Sequence, residues 1–114
     1  MTQGPGTPYI TILLYESHSP DSADYRPLYQ EDIVLLYADS QDAAKERAAQ
    51  RGRERETSYR NAEGETITWR LKHVIDVNPA LDADLSRDAD LYSRHFRNYD
   101  AYQRFEPLLS GEQL

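Results

Sequence analysis

The sequence predicts an α+β domain with an antiparallel sheet of four to five strands, one alanine-rich helix packed on that sheet, and a C-terminal helical segment. Residues 66–77 alternate between apolar and polar, which is typical of a strand with one buried face. Residues 9–15 and 33–38 are apolar on both faces, as in strands that are covered on both sides. Residues 41–51 place alanines at helical spacing. The predicted order is β-β-α-β-β-(β)-α, in which the last strand is optional.

The domain boundaries follow from composition. Residues 1–8 are rich in glycine and proline and are predicted to form a flexible leader, and residues 107–114 are predicted to form a tail. Residues 9–106 are predicted to be a single α+β domain, because a chain of 114 residues is long enough to bury a core without disulfides or metals.

The first half of the domain raises the question of what covers the sheet. The strand over residues 9–15 is followed by a polar connector, residues 16–32, of a length that is usually functional or mobile. The second strand, residues 33–38, is as apolar on both faces as the first. One helix covers only one face of a sheet, so something else must cover the other. The candidates are the aromatic tail of this chain and a second copy of the sheet.

The helix is predicted to begin after Asp39 or Ser40, either of which can cap its first turn. It is predicted to end at Gly52, because a glycine is typical of the left-handed position that follows a helix. Ala44 and Ala48 form a narrow apolar stripe, so the helix can lie close to the sheet.

The second half begins with a predicted hairpin. Residues 57–60 and the long alternating strand are joined by a turn that contains Gly64. Trp69, the only tryptophan of the chain, brings more apolar area to the core than any other residue. His73 has the same parity as Trp69 and Leu71, which predicts a histidine on the buried face.

Two interpretations of the segment after the hairpin stay open. In the first, apolar residues at helical spacing form one amphipathic helix, and these are Leu85, Ala89, Tyr92, Phe96 and Tyr99. In the second, residues 89–97 form a last strand, and a short helix capped by Asn98 follows.

The hairpin also carries a family resemblance. The patterns Tyr59-x-Asn61-x-x-Gly64-Glu65 and Trp69-Arg70 resemble a bacterial domain-of-unknown-function family, number 4288. The resemblance covers about residues 9–97. It implies an α+β domain and favours a strand over residues 89–97, and it implies no activity, cofactor or catalytic residue.

Composition excludes several classes of protein. With no cysteine, the chain has no disulfides, no thiolate nucleophile and no cysteine metal site. Its apolar runs fall far short of the ~20 residues that span a bilayer. The first residues have neither the basic nor the apolar region of a secretory signal, so we expect a cytoplasmic protein without membrane contacts.

The net charge of −7 is distributed unevenly. Residues 1–44 carry seven acidic residues and one basic residue, whereas residues 45–114 carry thirteen acidic and twelve basic residues. Nucleic acid is bound mainly by neutralising its phosphates, so a nucleic-acid partner is not expected.

No catalytic or metal-binding constellation is recognisable. Residues 82–90 space their oxygens like a calcium loop, but Arg87 stands where that loop needs glycine and Ser93 where it needs glutamate. None of the three histidines has a second ligand at metal spacing. We therefore predict a non-enzymatic protein with no metal and no cofactor.

Aromatic and arginine side chains, which form interface hot spots, are the best candidates for binding. The predicted partner-binding residues lie in the connector and in the segment that follows the hairpin, and they are Tyr25, Arg26, Tyr29, Tyr92, Arg94 and Arg97. We expect a protein-interaction module, with a homodimer as one possibility and an immunity protein or antitoxin that blocks a basic toxin as another. The alternative is a small-molecule or nucleotide-binding domain that uses Trp69, His73 and His95.

Overall fold

A computed structural model describes residues 6–111 of the chain. Four strands form one antiparallel sheet, and they are β1 (Thr7–His18), β2 (Tyr29–Ala38), β3 (Thr57–Arg60) and β4 (Thr66–Pro79). Three helices accompany the sheet, and they are α1 (Gln41–Glu54), α2 (Tyr99–Phe105) and α3 (Pro107–Ser110). The predicted α+β class is confirmed. In residues 6–111, no helix is long and apolar enough to cross a membrane.

The strands lie in the order β2-β1-β4-β3. β1 begins at Thr7, inside the predicted leader, whose first five residues lie outside the described part of the chain. The central position of β1 explains why both of its faces are apolar. β2 has a similar composition but lies at one edge of the sheet, paired with β1 alone.

The two faces of the sheet differ in what covers them. Tyr9 and Leu13 of β1 point to the helix face, where Tyr9 packs with Leu36, Val77 and the buried alanines of α1. Ile10 and Ile12 point to the opposite face, which we call the open face, and both are buried. Other residues therefore cover the part of the open face that belongs to β1, although none of the described helices packs there.

Helix α1 begins as the sequence predicts and ends later. The hydroxyl of Ser40 accepts a hydrogen bond from the backbone amide of Ala43 at 3.1 Å. The predicted end at Gly52 is wrong, because the helix continues to Glu54 and Gly52 is helical and buried. A Cβ atom at Gly52 would lie 2.7 Å from Cδ2 of Leu71. This glycine thus permits close approach of the helix to β4 rather than ending the helix.

Two bulges in β4 reverse the alternation that the sequence predicts. Lys72 and Ile75 have no partner in the pairing of β4 with β1, so each is an extra residue that forms a bulge in β4. An extra residue moves every following side chain to the other face. Val74 therefore packs against the core, whereas His73 is exposed on the open face. The interpretation of His73 as a core histidine is wrong for this reason.

The segment over residues 89–97 is neither helix nor strand. The backbone amides of Leu81 and Asp82 donate to the carbonyls of Leu91 and Asp90 at 3.2 and 3.0 Å, which closes a loop. Both interpretations of these residues are therefore wrong, and the optional fifth strand is absent from the described residues. The short helix capped by Asn98 is confirmed, with the Asn98 side chain accepting from the amide of Ala101 at 3.0 Å.

After this loop the chain crosses the open face. Tyr92 donates a hydrogen bond from its hydroxyl to the carboxylate of Asp76, the residue of β4 that pairs with Ile12. This hydrogen bond raises the pKa of Tyr92 above its ordinary value. A segment that lies over a sheet face cannot also pair at an edge, which explains why no fifth strand forms.

Candidate functional site

A groove of about 640 Å³ lies between the start of β2 and the C-terminal segment. We call it the C-terminal groove. It is lined by Glu31, Arg94, His95, Phe96, Asn98, Ala101, Tyr102, Phe105 and Glu106. Its volume is within the range of sites that bind small molecules.

Helix α2 forms the wall of the groove that lies opposite the start of β2. The rings of Phe96 and Tyr102 stack with their centroids 4.7 Å apart and their planes 18° apart. The amide of Glu106 donates to the carbonyl of Tyr102 at 2.9 Å, which ends α2 and begins α3. These local contacts fix the wall without help from the sheet.

Helices α2 and α3 lie near each other and near no other helix or strand of the described chain. Their apolar side chains are consequently uncovered: Phe105 is 73% exposed and Leu108 is 93% exposed. Other large apolar side chains of this segment are also more than half exposed, namely Phe96, Tyr99 and Leu109. Large apolar side chains that are exposed close together in one segment are typical of interaction sites.

The arginines of this segment are free to meet a partner. Among residues 6–111, ion pairs join Lys72 to Glu16 at 3.4 Å and Arg87 to Asp84 at 3.0 Å. In that same part of the chain, Arg94, Arg97 and Arg104 form no ion pair. Arginine beside aromatic side chains is the composition of interface hot spots.

The structure separates the predicted partner-binding residues. Arg94 lines the C-terminal groove, and Arg97 is exposed next to it. Tyr92 instead fastens the segment to Asp76.

The connector residues of that prediction lie away from the groove lining. The hydroxyl of Tyr25 donates to Oγ of Ser17 at 2.6 Å, and Tyr25 is half-buried. Tyr29 makes a hydrogen bond with Glu16 that raises the pKa of Tyr29. Arg26 is exposed in the connector. Tyr25 therefore holds the connector to β1, whereas Tyr29 joins the paired ends of β1 and β2.

The residues of the small-molecule alternative also lie apart. Trp69 is opposite Ser17 on the helix face, whereas His73 is opposite Leu14 on the open face. His95 lines the C-terminal groove. Because Trp69 and His73 lie on opposite faces of the sheet, the three residues do not form one site.

Trp69 contributes to a second cavity, of about 280 Å³, which we call the helix-face cleft. The cleft is lined by Tyr15, Gln30, Asp32, Arg55, Thr57, Tyr59 and Trp69. Nε1 of Trp69 donates to the hydroxyl of Tyr59 at 3.5 Å. Tyr59 is absent from the residues predicted for this alternative, although the hairpin places it on the same face as Trp69.

In the calcium-like loop, residues 82–90, the Asp84 carboxylate makes hydrogen bonds within the loop itself. The carboxylate of Asp84 accepts from the amide of Ser86 at 3.0 Å and from its hydroxyl at 2.6 Å. These bonds lower the pKa of Asp84. In residues 6–111, no group of three or more acidic or histidine side chains is arranged to hold a metal ion.

A four-stranded antiparallel sheet with one helix between its strands and short C-terminal helices defines a small α+β domain. The family model "Domain of unknown function (DUF4288)" matches residues 8–93, and the chain belongs to this family. The match ends before most of the C-terminal groove and includes only Glu31 of its lining. No curated protein and no solved structure matches the chain significantly.

Proposed function

We propose that this protein is a non-enzymatic module that binds another protein through the C-terminal groove. The observation that carries the proposal is the combination of uncovered apolar side chains with unpaired arginines in one segment. Soluble domains rarely expose several large apolar side chains together unless the surface of a partner covers them.

The apolar side chains supply the energy for such binding. Complete burial of a phenylalanine or leucine is worth about 1.5–3 kcal/mol. Phe105 lines the groove and is 73% exposed, and Leu108 in the adjoining α3 is 93% exposed, so most of this energy is available to a partner. Arg94 and Arg97 at the rim provide charged hydrogen bonds that select among partners.

The charge of the whole chain favours a basic partner. A net charge of −7 attracts a cationic protein at long range and accelerates its association, and Arg94 and Arg97 would then hydrogen-bond to carboxylates or carbonyls of that protein. We further propose that the partner is a toxin-like basic protein, blocked as by an immunity protein or antitoxin, in a bacterial cytoplasm. This part of the proposal depends on the charge and on the expectations drawn from the sequence.

A comparison of three proteins tests the proposal. The immobilised wild-type chain should retain a basic protein from cells that encode it, and the Phe105→Ser variant should bind that protein at least about tenfold more weakly. Leu81→Ser is the matched control, because Leu81 is an exposed leucine that does not line the groove. Equal retention by all three chains would contradict the proposal.

The helix-face cleft supports a second candidate, the binding of a small molecule. Tyr15, Tyr59 and Trp69 provide aromatic walls, and Arg55 and Asp32 provide opposite charges. A panel of metabolites should then contain one that raises the melting temperature of the wild-type chain but not of Arg55→Gln. A panel without any such rise would remove this candidate.

A further inference from the structure

We propose that two copies of this chain pair through β2 in antiparallel fashion about a twofold axis at Val34, giving one continuous eight-stranded sheet. This inference goes beyond the proposed function, and its test involves no groove ligand. The strand order places β2 at one end of the sheet, so within residues 6–111 its outer backbone groups have no strand to pair with.

The β2 edge has few of the features that protect edge strands. Natural edges are short, bulged, interrupted by proline or carry lysine. β2 is ten residues long, pairs with β1 in continuous register, and contains neither proline nor a basic residue. The opposite edge, β3, is four residues long and polar. Beyond β3, residues 70–79 of β4 have no outer strand among the described residues, but two bulges interrupt that edge. β2 is therefore the long edge with a regular backbone for pairing.

The side chains of β2 have the composition of a central strand. Ile33 and Leu35 lie on the open face, where they pair with Ile12 and Ile10 of β1. Nevertheless Ile33 is 66% exposed and Leu35 is 44% exposed. A neighbouring strand at this edge would cover both.

A second copy of β2 fits this edge better than an unrelated strand. An antiparallel edge is complementary to itself under a twofold axis, since each donor meets the acceptor of the other copy. An axis at Val34 places Ile33 opposite the partner subunit's Leu35, and Leu35 opposite the partner subunit's Ile33. Each exposed apolar side chain then meets an apolar side chain.

The charges of β2 agree with this register. Glu31 and Asp32 both precede Val34, so the axis places them opposite the partner subunit's Tyr37 and Leu36 rather than opposite each other. Like charges directly opposite each other would oppose pairing. Glu31 also lines the C-terminal groove, so the partner subunit's Tyr37 would complete that wall of the groove.

Sedimentation of the full chain tests the pairing. The sedimenting mass of the wild-type protein should rise with concentration to twice 13.2 kDa. The double variant Ile33→Lys and Leu35→Lys should keep a mass of 13.2 kDa at every concentration. Tyr59→Lys, at an exposed position of the other edge, is the matched control and should still pair. Circular dichroism shows whether each variant is folded.

Cross-linking tests the register without depending on the lysine variants. Because the chain has no cysteine, Val34→Cys introduces one thiol, which the axis places beside its own copy within disulfide range. Oxidised Val34→Cys should run as a covalent dimer, and Tyr59→Cys should not. A wild-type chain of 13.2 kDa at all concentrations, pairing that survives both lysines, or no cross-link at Val34 would each overturn the proposal.

Discussion

Gly52 sets the distance between helix and sheet. Its missing side chain lets Leu71 of β4 approach the helix backbone, and the Gly52 carbonyl accepts a hydrogen bond from the buried hydroxyl of Tyr15 at 3.0 Å. Both contacts are lost if α1 moves away from the sheet. A glycine inside a helix costs about 1 kcal/mol relative to alanine, and this packing offsets that cost.

Substitution of Gly52 should show this directly. Gly52→Val should destabilise the fold by about 2–3 kcal/mol, because its branched side chain would overlap Leu71. Arg53→Val, at an exposed position of the same helix, should cost less than about 1 kcal/mol. Urea denaturation measures both values, and equal losses would show that the close approach is unimportant.

Tyr15 makes stability depend on pH in the alkaline range. Burial is the main cause that raises its pKa above 10.0, and Asp32 adds to it. Above pH 10 the unfolded chain releases this proton more readily than the folded chain does. The contribution of Tyr15 is therefore complete below pH 10 and is lost as pH rises toward the raised pKa of the folded state.

The variant Tyr15→Phe separates this contribution from the others. It should be about 1 kcal/mol less stable than wild type at neutral pH, because the hydrogen bond to Gly52 is lost. The difference between the two proteins should shrink as pH rises above 10. Urea denaturation at a series of pH values measures it, and a difference that stays constant would contradict this account.

At the scale of elements, Ser17 holds the connector between β1 and β2. The buried Oγ of Ser17 accepts from the amide of Leu28 at 2.8 Å and from the hydroxyl of Tyr25 at 2.6 Å. The strands extend further than the sequence predicts, so the connector spans only residues 19–28. It is ordered by these contacts, although its polar composition is also typical of mobile loops.

Removing this hydroxyl should loosen one element without disturbing the rest. Ser17→Ala should cost about 2 kcal/mol, because the amide of Leu28 and the hydroxyl of Tyr25 lose their acceptor. Amide exchange should become faster in residues 19–28. Ser58→Ala, which removes an exposed hydroxyl bonded to Thr68, should cost less than about 0.5 kcal/mol. Unchanged exchange in the connector would show that other contacts hold it.

The start of α1 could be predicted from the sequence, whereas the bulges of β4 could not. Local signals predict the start of α1, because Ser40 and the alanine stripe act within one turn. The bulges at Lys72 and Ile75 depend on pairing with a strand more than fifty residues away, so the period of two misplaces His73.

The C-terminal groove was predictable only in part. Arg94 and His95 are recognisable from composition, since arginine and aromatic residues accumulate in the tail. Glu31 is not, because it reaches the groove from β2 through tertiary structure alone. The path of the C-terminal segment across the open face likewise depends on the contact between Tyr92 and Asp76. No periodic pattern in the sequence predicts that contact.

At the scale of the whole molecule, the chain is more extended than its length requires. Its radius of gyration is 17.4 Å, whereas a compact domain of this length has a radius of about 13 Å. The C-terminal helices pack on neither the sheet nor α1, which agrees with this extension. Within residues 6–111, the edge of β2 and the C-terminal groove are both uncovered.

Photo-cross-linking in cells tests most directly whether the groove contacts another protein. A benzoylphenylalanine placed at Phe105 should yield a covalent product with a protein other than this chain, distinguishable by mass from twice 13.2 kDa. The same group at Tyr59, which is exposed outside that groove, should not yield this product. If position 105 gives only unlinked chain or chain-to-chain products, the groove does not bind a separate protein.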